Sequence, residues 1–314
     1  MKRNLILLFT LLLIVSPAFS QKKAIFTGEK GGKSDIMILD LESMKVAPLI
    51  ETEYSEKQPS VSPDGEKLLF VANKVGIFTV YQVPLKNSNA SWTEVGAGAG
   101  EYSWPSYSPD GKSIAAVYSP DLDKGISSMS LVILDPVARR QEVIFVPPFS
   151  DNLTTIISRP LWVDNRTLAF CLVEYSDYDI APRIQSGSLY AIHLDDKKAM
   201  RLAGGTSGFN ESGSPEGFKA SQATFSAGRI FFASVSGSVD RNPMTIDPEG
   251  KNISPLKELA LEEFYGPIFP VGENYLLGLR DSEGVMTIGL FETKSKTLKK
   301  INFQGMALDL NIIP

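Results

Sequence analysis

Few side chains in this sequence could do chemistry. It holds one histidine, His193, and one cysteine, Cys171. A zinc or manganese centre built from several imidazoles is excluded by that count alone. A Ser-His-Asp relay would have to use His193, which stands inside the strand-like run SLYAIHLDD, and no Gly-x-Ser-x-Gly elbow occurs in the chain. His193 therefore reads as packed or solvated between sheets. Cys171 lies among apolar neighbours in LAFCLV and reads as a buried, inert thiol, because a nucleophilic one needs an open, electropositive surrounding. Asp121-x-Asp123-x-Gly125 lacks the third ligand, the glycine spacing and the distal glutamate of a calcium loop, so it reads as an acidic turn. The GAGAG stretch at 96–100 precedes no helix and so lacks an anion-binding helix N-terminus.

What remains is the stretch EYSDYDIAPR. Glu174, Asp177 and Asp179 supply carboxylates, and Tyr175, Tyr178 and Arg183 supply stacking and hydrogen-bonding groups. Two carboxylates at the right separation would suit glycoside hydrolysis. Loop carboxylates are mostly solvated, however, so these six are expected to bind a ligand, and no catalytic residue, metal or cofactor is expected.

The elements that position them repeat. Gln58 opens QPSVSPDGEKLLFV and Trp104 opens WPSYSPDGKSIAAV. In each copy an alternating strand enters, and Pro63-Asp64-Gly65 or Pro109-Asp110-Gly111 makes the turn. A more apolar strand then leaves, which is a tight hairpin. Such repetition has to be read before anything else. Four-strand units follow at 59–95, 105–146, 160–202, 223–255 and 267–301, the third with Asp164-Asn165 at its turn and the last with Gly272. The opening unit, 24–50, lacks its first strand, and the C-terminal GMALDLNIIP is a lone strand. Placed beside 24–27, the tail completes the set. The expectation is an all-β, six-bladed propeller of four-stranded antiparallel blades, closed by the C-terminal strand joining the N-terminal blade.

The two Pro-Ser-x-Ser-Pro-Asp-Gly hairpins resemble the WD40-like (PD40) repeats of the TolB-type propeller family. The resemblance is strongest over two blades and looser from Pro160 and from Pro267 onward. It implies a periplasmic six-bladed propeller. The expectation is a propeller alone, without the α/β domain that precedes it in TolB-type proteins or the hydrolase domain that follows similar propellers in prolyl oligopeptidases.

The address agrees with an exported protein. MKRNLILLFTLLLIVSPAFS has a basic start, an apolar core and a small-x-small end, so 1–20 reads as a signal peptide and 21–314 as one propeller domain. A net charge of −5 argues against nucleic acid as a partner. In an up-and-down blade the links between blades and the turns from strand two to strand three share one face of the disc. The long segments 119–129, 147–159, 173–187 and 203–222 all fall there, and loops of that length commonly carry function. The expected role is a periplasmic or secreted, non-catalytic scaffold that binds an envelope protein or peptide on this face. A carbohydrate-binding or carbohydrate-processing propeller, with a glycan as ligand, is the alternative.

Overall fold

Two of the repeats fold through the local chemistry of a Ser-Pro-Asp-Gly turn. In the computed structural model, which describes residues 22–88, 90–120, 129–148, 153–176, 184–206, 208–209, 215–216, 218–236 and 240–314, the two turns are near copies. The Ser62 hydroxyl donates to the Asp64 carboxylate at 2.5 Å and accepts from the Lys67 amide at 2.9 Å. Ser108, Asp110 and Ser113 repeat this at 2.7 and 3.0 Å. The hydroxyl hydrogen bond, with a backbone amide as second donor, holds Asp64 and Asp110 below the usual carboxylate range. Gly65 and Gly111 both sit at φ 71°. No atom lies within 4 Å of a side chain built on Gly65, so its requirement is conformational and not steric.

The strands assemble into six four-stranded antiparallel blades, blade 4 having its innermost strand in two pieces. Blade 1 runs from its innermost strand Met306–Ile312 through Lys23–Lys30 and Lys33–Asp40 to Lys45–Ile50. The last strand of the chain therefore pairs with the first, Ala24 opposite Ile312 and Glu29 opposite Met306. The expected closure of the ring is what the structure shows. Six apolar clusters fill the six gaps between neighbouring blades. One of them joins Phe269, Leu276 and Ile288 of blade 6 to Phe26, Leu39 and Leu310 of blade 1, so the closing gap is packed like the others. Burial on both faces of a sheet explains the near-continuous apolar runs, such as Leu68–Ala72, that replace simple alternation.

The long segments need correction. Much of what the sequence suggests as loop is strand: Thr167–Ser176 and Ile184–His193 form one hairpin of ten residues a side, and Leu153–Ile157 pairs with its upper half. Likewise Ala199–Thr206 and Lys219–Ser226 take up the ends of the 203–222 segment. Backbone pairing supplies the reason, since a longer neighbour offers a ladder that an adjoining segment can join. The calcium-like Asp121, Asp123 and Gly125 lie outside the described residues, as do 1–21.

One buried acid sits between blades 1 and 2. Glu56, fully buried, accepts from the Thr52 hydroxyl, and its second oxygen has no hydrogen-bond partner. Burial pushes its pKa up to about 7, with Asp35 adding repulsion and Thr52 and Lys33 opposing. The folded state therefore holds a proton that the unfolded chain releases above its ordinary value near 4.5, so stability falls as pH rises from about 4.5 through 7. Glu56→Gln is expected to flatten that slope and to raise the melting temperature at pH 8, by roughly 2–4 °C per kcal/mol recovered. Thermal melts from pH 5 to pH 8 check it. Gly111→Val should cost about 1–2 kcal/mol through left-handed backbone strain, and removal of residues 311–314 should lower the melting point of the whole molecule. A parent-like melt of the truncated chain would remove its last strand from the closure.

Candidate functional site

The innermost strand of each blade breaks its ladder at the same level. Register shifts at this point leave Gln58, Trp104, Gln222 and Asp309 in left-handed backbone at φ 52–57°, and Gly266 at φ 98°. In blade 4 the inner strand is split between Leu153–Ile157 and Leu161–Trp162, with Arg159 in the gap. A bulged residue leaves the ladder and re-aims its side chain. Prolines 59, 105, 160 and 267 follow these positions, where a missing N–H is tolerated.

Six such residues, one per blade, surround the axis. Thr27 donates to Asp309 Oδ2 at 2.8 Å and accepts from the Gln58 amide at 2.9 Å. Gln58 Oε1 accepts from the Trp104 amide at 2.8 Å. The Arg159 guanidinium lies 5.3 Å from the centre of the Trp104 ring, and its Nη1 donates to the Leu310 carbonyl at 2.8 Å. Burial raises the Asp309 pKa and lowers that of Arg159, and the charge of each opposes the shift of the other. Removing one alone would leave the other's charge poorly compensated.

Above this level lies a cavity of about 350 Å³, lined by Trp104, Arg159, Gln222 and Asp309 together with Tyr175, Tyr265, Val173, Met286 and Leu308. Tyr175 is near the end of its strand, while Met286 and Ala307 are at or near the start of theirs. The cavity therefore reaches the face that carries the blade links. Beside it, the Arg241 guanidinium stacks 3.7 Å from the centre of the Tyr265 ring, and Arg280 lies 5.7 Å from the same ring. Arg241 also donates to Ser221 Oγ at 3.2 Å and to the Tyr265 carbonyl at 3.4 Å.

Of the six residues expected to bind a ligand, Tyr175 lines the cavity, and burial raises its phenol pKa. Glu174 is its strand neighbour and so points to the opposite face, where it accepts from the Ser186 hydroxyl. Asp177, Tyr178, Asp179 and Arg183 lie outside the described residues. Cys171 is fully buried and its thiol is pushed up to about 12 by burial. His193 ends its strand on the opposite face of the disc, exposed and 3.5 Å from Asp195. Among the described residues no three His, Cys, Asp or Glu side chains gather as metal ligands. Trp104, Arg159, Gln222 and Asp309 were not singled out by residue chemistry. For Trp104 and Arg159 the signal is positional, being the residue before the repeat's proline as in Gln58-Pro59, while Gln222 and Asp309 precede no proline.

Arg159→Met is expected to lower the melting temperature, and Asp309→Asn in the same chain to restore part of it. A double-mutant cycle should give a coupling of about 1 kcal/mol. Strict additivity would mean that the two charges do not sense each other across the cavity. Cys171 should resist alkylation at pH 8 until the protein unfolds, because its thiolate is scarce and enclosed.

No protein-family model matches the chain, and no curated protein matches it in sequence. Solved structures do match. The chain superposes on TolB from Acinetobacter baumannii with a TM-score of 0.63 and 15% identity, covering 94% of this chain and 67% of that one. A putative TolB from Agrobacterium tumefaciens gives a TM-score of 0.60 and 14% identity, over 93% of this chain and 98% of the other. An oligogalacturonate lyase in complex with manganese gives 0.51 and 14%, over 89% and 72%. These neighbours include an enzyme and share little sequence with the chain, so what they establish is architecture: this protein is a six-bladed β-propeller of the fold also found in TolB.

Proposed function

We propose that this propeller is an exported, non-catalytic scaffold that binds a segment of an envelope protein or peptide at the mouth of its channel. The observation that carries the reading is the axial cavity of about 350 Å³, walled by Trp104, Tyr175 and Tyr265 and by apolar groups from several blades. Aromatic and apolar walls with a few fixed polar groups suit a binding pocket, and a rigid ring holds them without an ordering cost at binding. The likeness to TolB folds supports a protein partner, and the N-terminal run of 1–20 supports export to the periplasm or beyond, with 21–314 working as one domain. Among the described residues no helix is long and apolar enough to cross a membrane.

The test is affinity capture from an envelope extract with residues 21–314, beside a Tyr175→Ala/Tyr265→Ala variant of matched stability. A protein retained by the parent and lost by the variant supports the reading and locates the surface. Equal capture by both would move the binding surface away from the cavity. A chain that captures no protein but binds oligosaccharides on a glycan array would favour the carbohydrate alternative.

A further inference from the structure

Three arginines on the outer surface are paired: Arg139 lies 3.8 Å from Glu94, Arg229 lies 2.5 Å from Asp247, and Arg166 meets Asp195. The two at the cavity mouth are not. Arg241 and Arg280 have no carboxylate within ion-pair distance among the described residues, although the chain as a whole carries a net charge of −5. Both guanidiniums approach the one Tyr265 ring, at 3.7 and 5.7 Å from its centre. Arg241 places Nη1 on Ser221 and on the Tyr265 carbonyl, which leaves most of its five N–H donors without an acceptor among the described residues. Arg280 ends its strand exposed, and its guanidinium makes no hydrogen bond among the described residues. Like charges held this close repel, and burial together with Arg280 lowers the pKa of Arg241, whereas the Tyr265 and Tyr175 phenols act the other way. Tyr265 stacks against the Arg241 guanidinium, and the forked donors of a guanidinium match a planar, two-oxygen acceptor.

We infer that the Arg241–Tyr265–Arg280 cluster is a carboxylate-recognition site, and that the polypeptide bound at the channel mouth presents an acidic segment whose Asp or Glu side chain docks between the two guanidiniums. The inference rests on the channel-mouth binding proposed above and adds the chemical class of the ligand. An acidic segment fits the charge left uncompensated at the blade 5 and blade 6 side of the mouth, and the adjoining aromatic walls receive its apolar neighbours.

The experiment is a calorimetric titration of residues 21–314 with short poly-L-glutamate, poly-L-lysine, a neutral Gly/Ser/Leu peptide and oligogalacturonate, at low and at physiological ionic strength. Poly-L-glutamate should bind and poly-L-lysine should not, with affinity falling as salt rises. Arg241→Gln/Arg280→Gln should weaken glutamate binding at least tenfold while far-ultraviolet circular dichroism and melting temperature stay near those of the parent. Arg280→Lys, which keeps the charge and loses the planar fork, should fall between. If the neutral peptide binds as well as poly-L-glutamate and the double variant changes neither, channel-mouth binding stands and carboxylate recognition is overturned. If oligogalacturonate binds through these arginines and poly-L-glutamate does not, the site reads an acidic sugar and the acidic-peptide inference fails. If no probe binds, both it and the binding reading fall.

Discussion

The antiparallel pairing of Met306–Ile312 with Lys23–Lys30 is the interaction on which the rest of the structure depends. Each blade buries both faces against its neighbours, so the apolar surfaces of blades 1 and 6 have no cover unless the ring shuts. An open arc would expose Phe26, Leu276 and Ile288 to water, all of which are fully buried in the ring. The pairing joins the two most distant parts of the sequence, and its loop-closure cost is met only once the intervening blades have formed. Closure and packing are therefore one cooperative event, and the axis is defined only when both are in place.

The axial site follows from that closure by a simple device. An irregularity in each innermost strand takes a residue out of the ladder, and six blades bring six such residues to one level. The ladder does not constrain which residue stands there, since a bulge position is excused from pairing. This chain uses a tryptophan, an arginine, two glutamines, an aspartate and a glycine, so a near-symmetric backbone holds an asymmetric set of side chains. Thr27, Gln58 and Arg159 then lock that set through hydrogen bonds, one within blade 1 and the others from blade to blade.

Much of the architecture was legible in the sequence because turn chemistry is local. Ser62, Asp64 and Gly65 specify their hairpin through contacts within a few residues, and so do Ser108, Asp110 and Gly111. The missing first strand and the orphan last one pointed to closure for the same reason: strands must be paired. The site was less legible. Tyr175 was found because it stood in a chemically rich stretch, yet Glu174 beside it faces away, since strand alternation separates neighbours. Trp104, Arg159 and Asp309 meet only through the ring, across sequence separations that no local pattern reports. Parts of the segments 147–159, 173–187 and 203–222 were misread as loop because pairing with an extended neighbour is a tertiary effect.

Arg159 of blade 4 reaches the carbonyl of Leu310 in blade 1, on the far side of a six-membered ring. That hydrogen bond is a crossbar. It crosses the central opening at the foot of the cavity that both residues line. A chain entering from the blade-link face meets this bar before it can go deeper. Such a recess suits a chain end or the tip of a loop better than the middle of an extended strand. It also limits the depth of contact to the distance between the mouth and the bar, whatever the length of the visiting molecule.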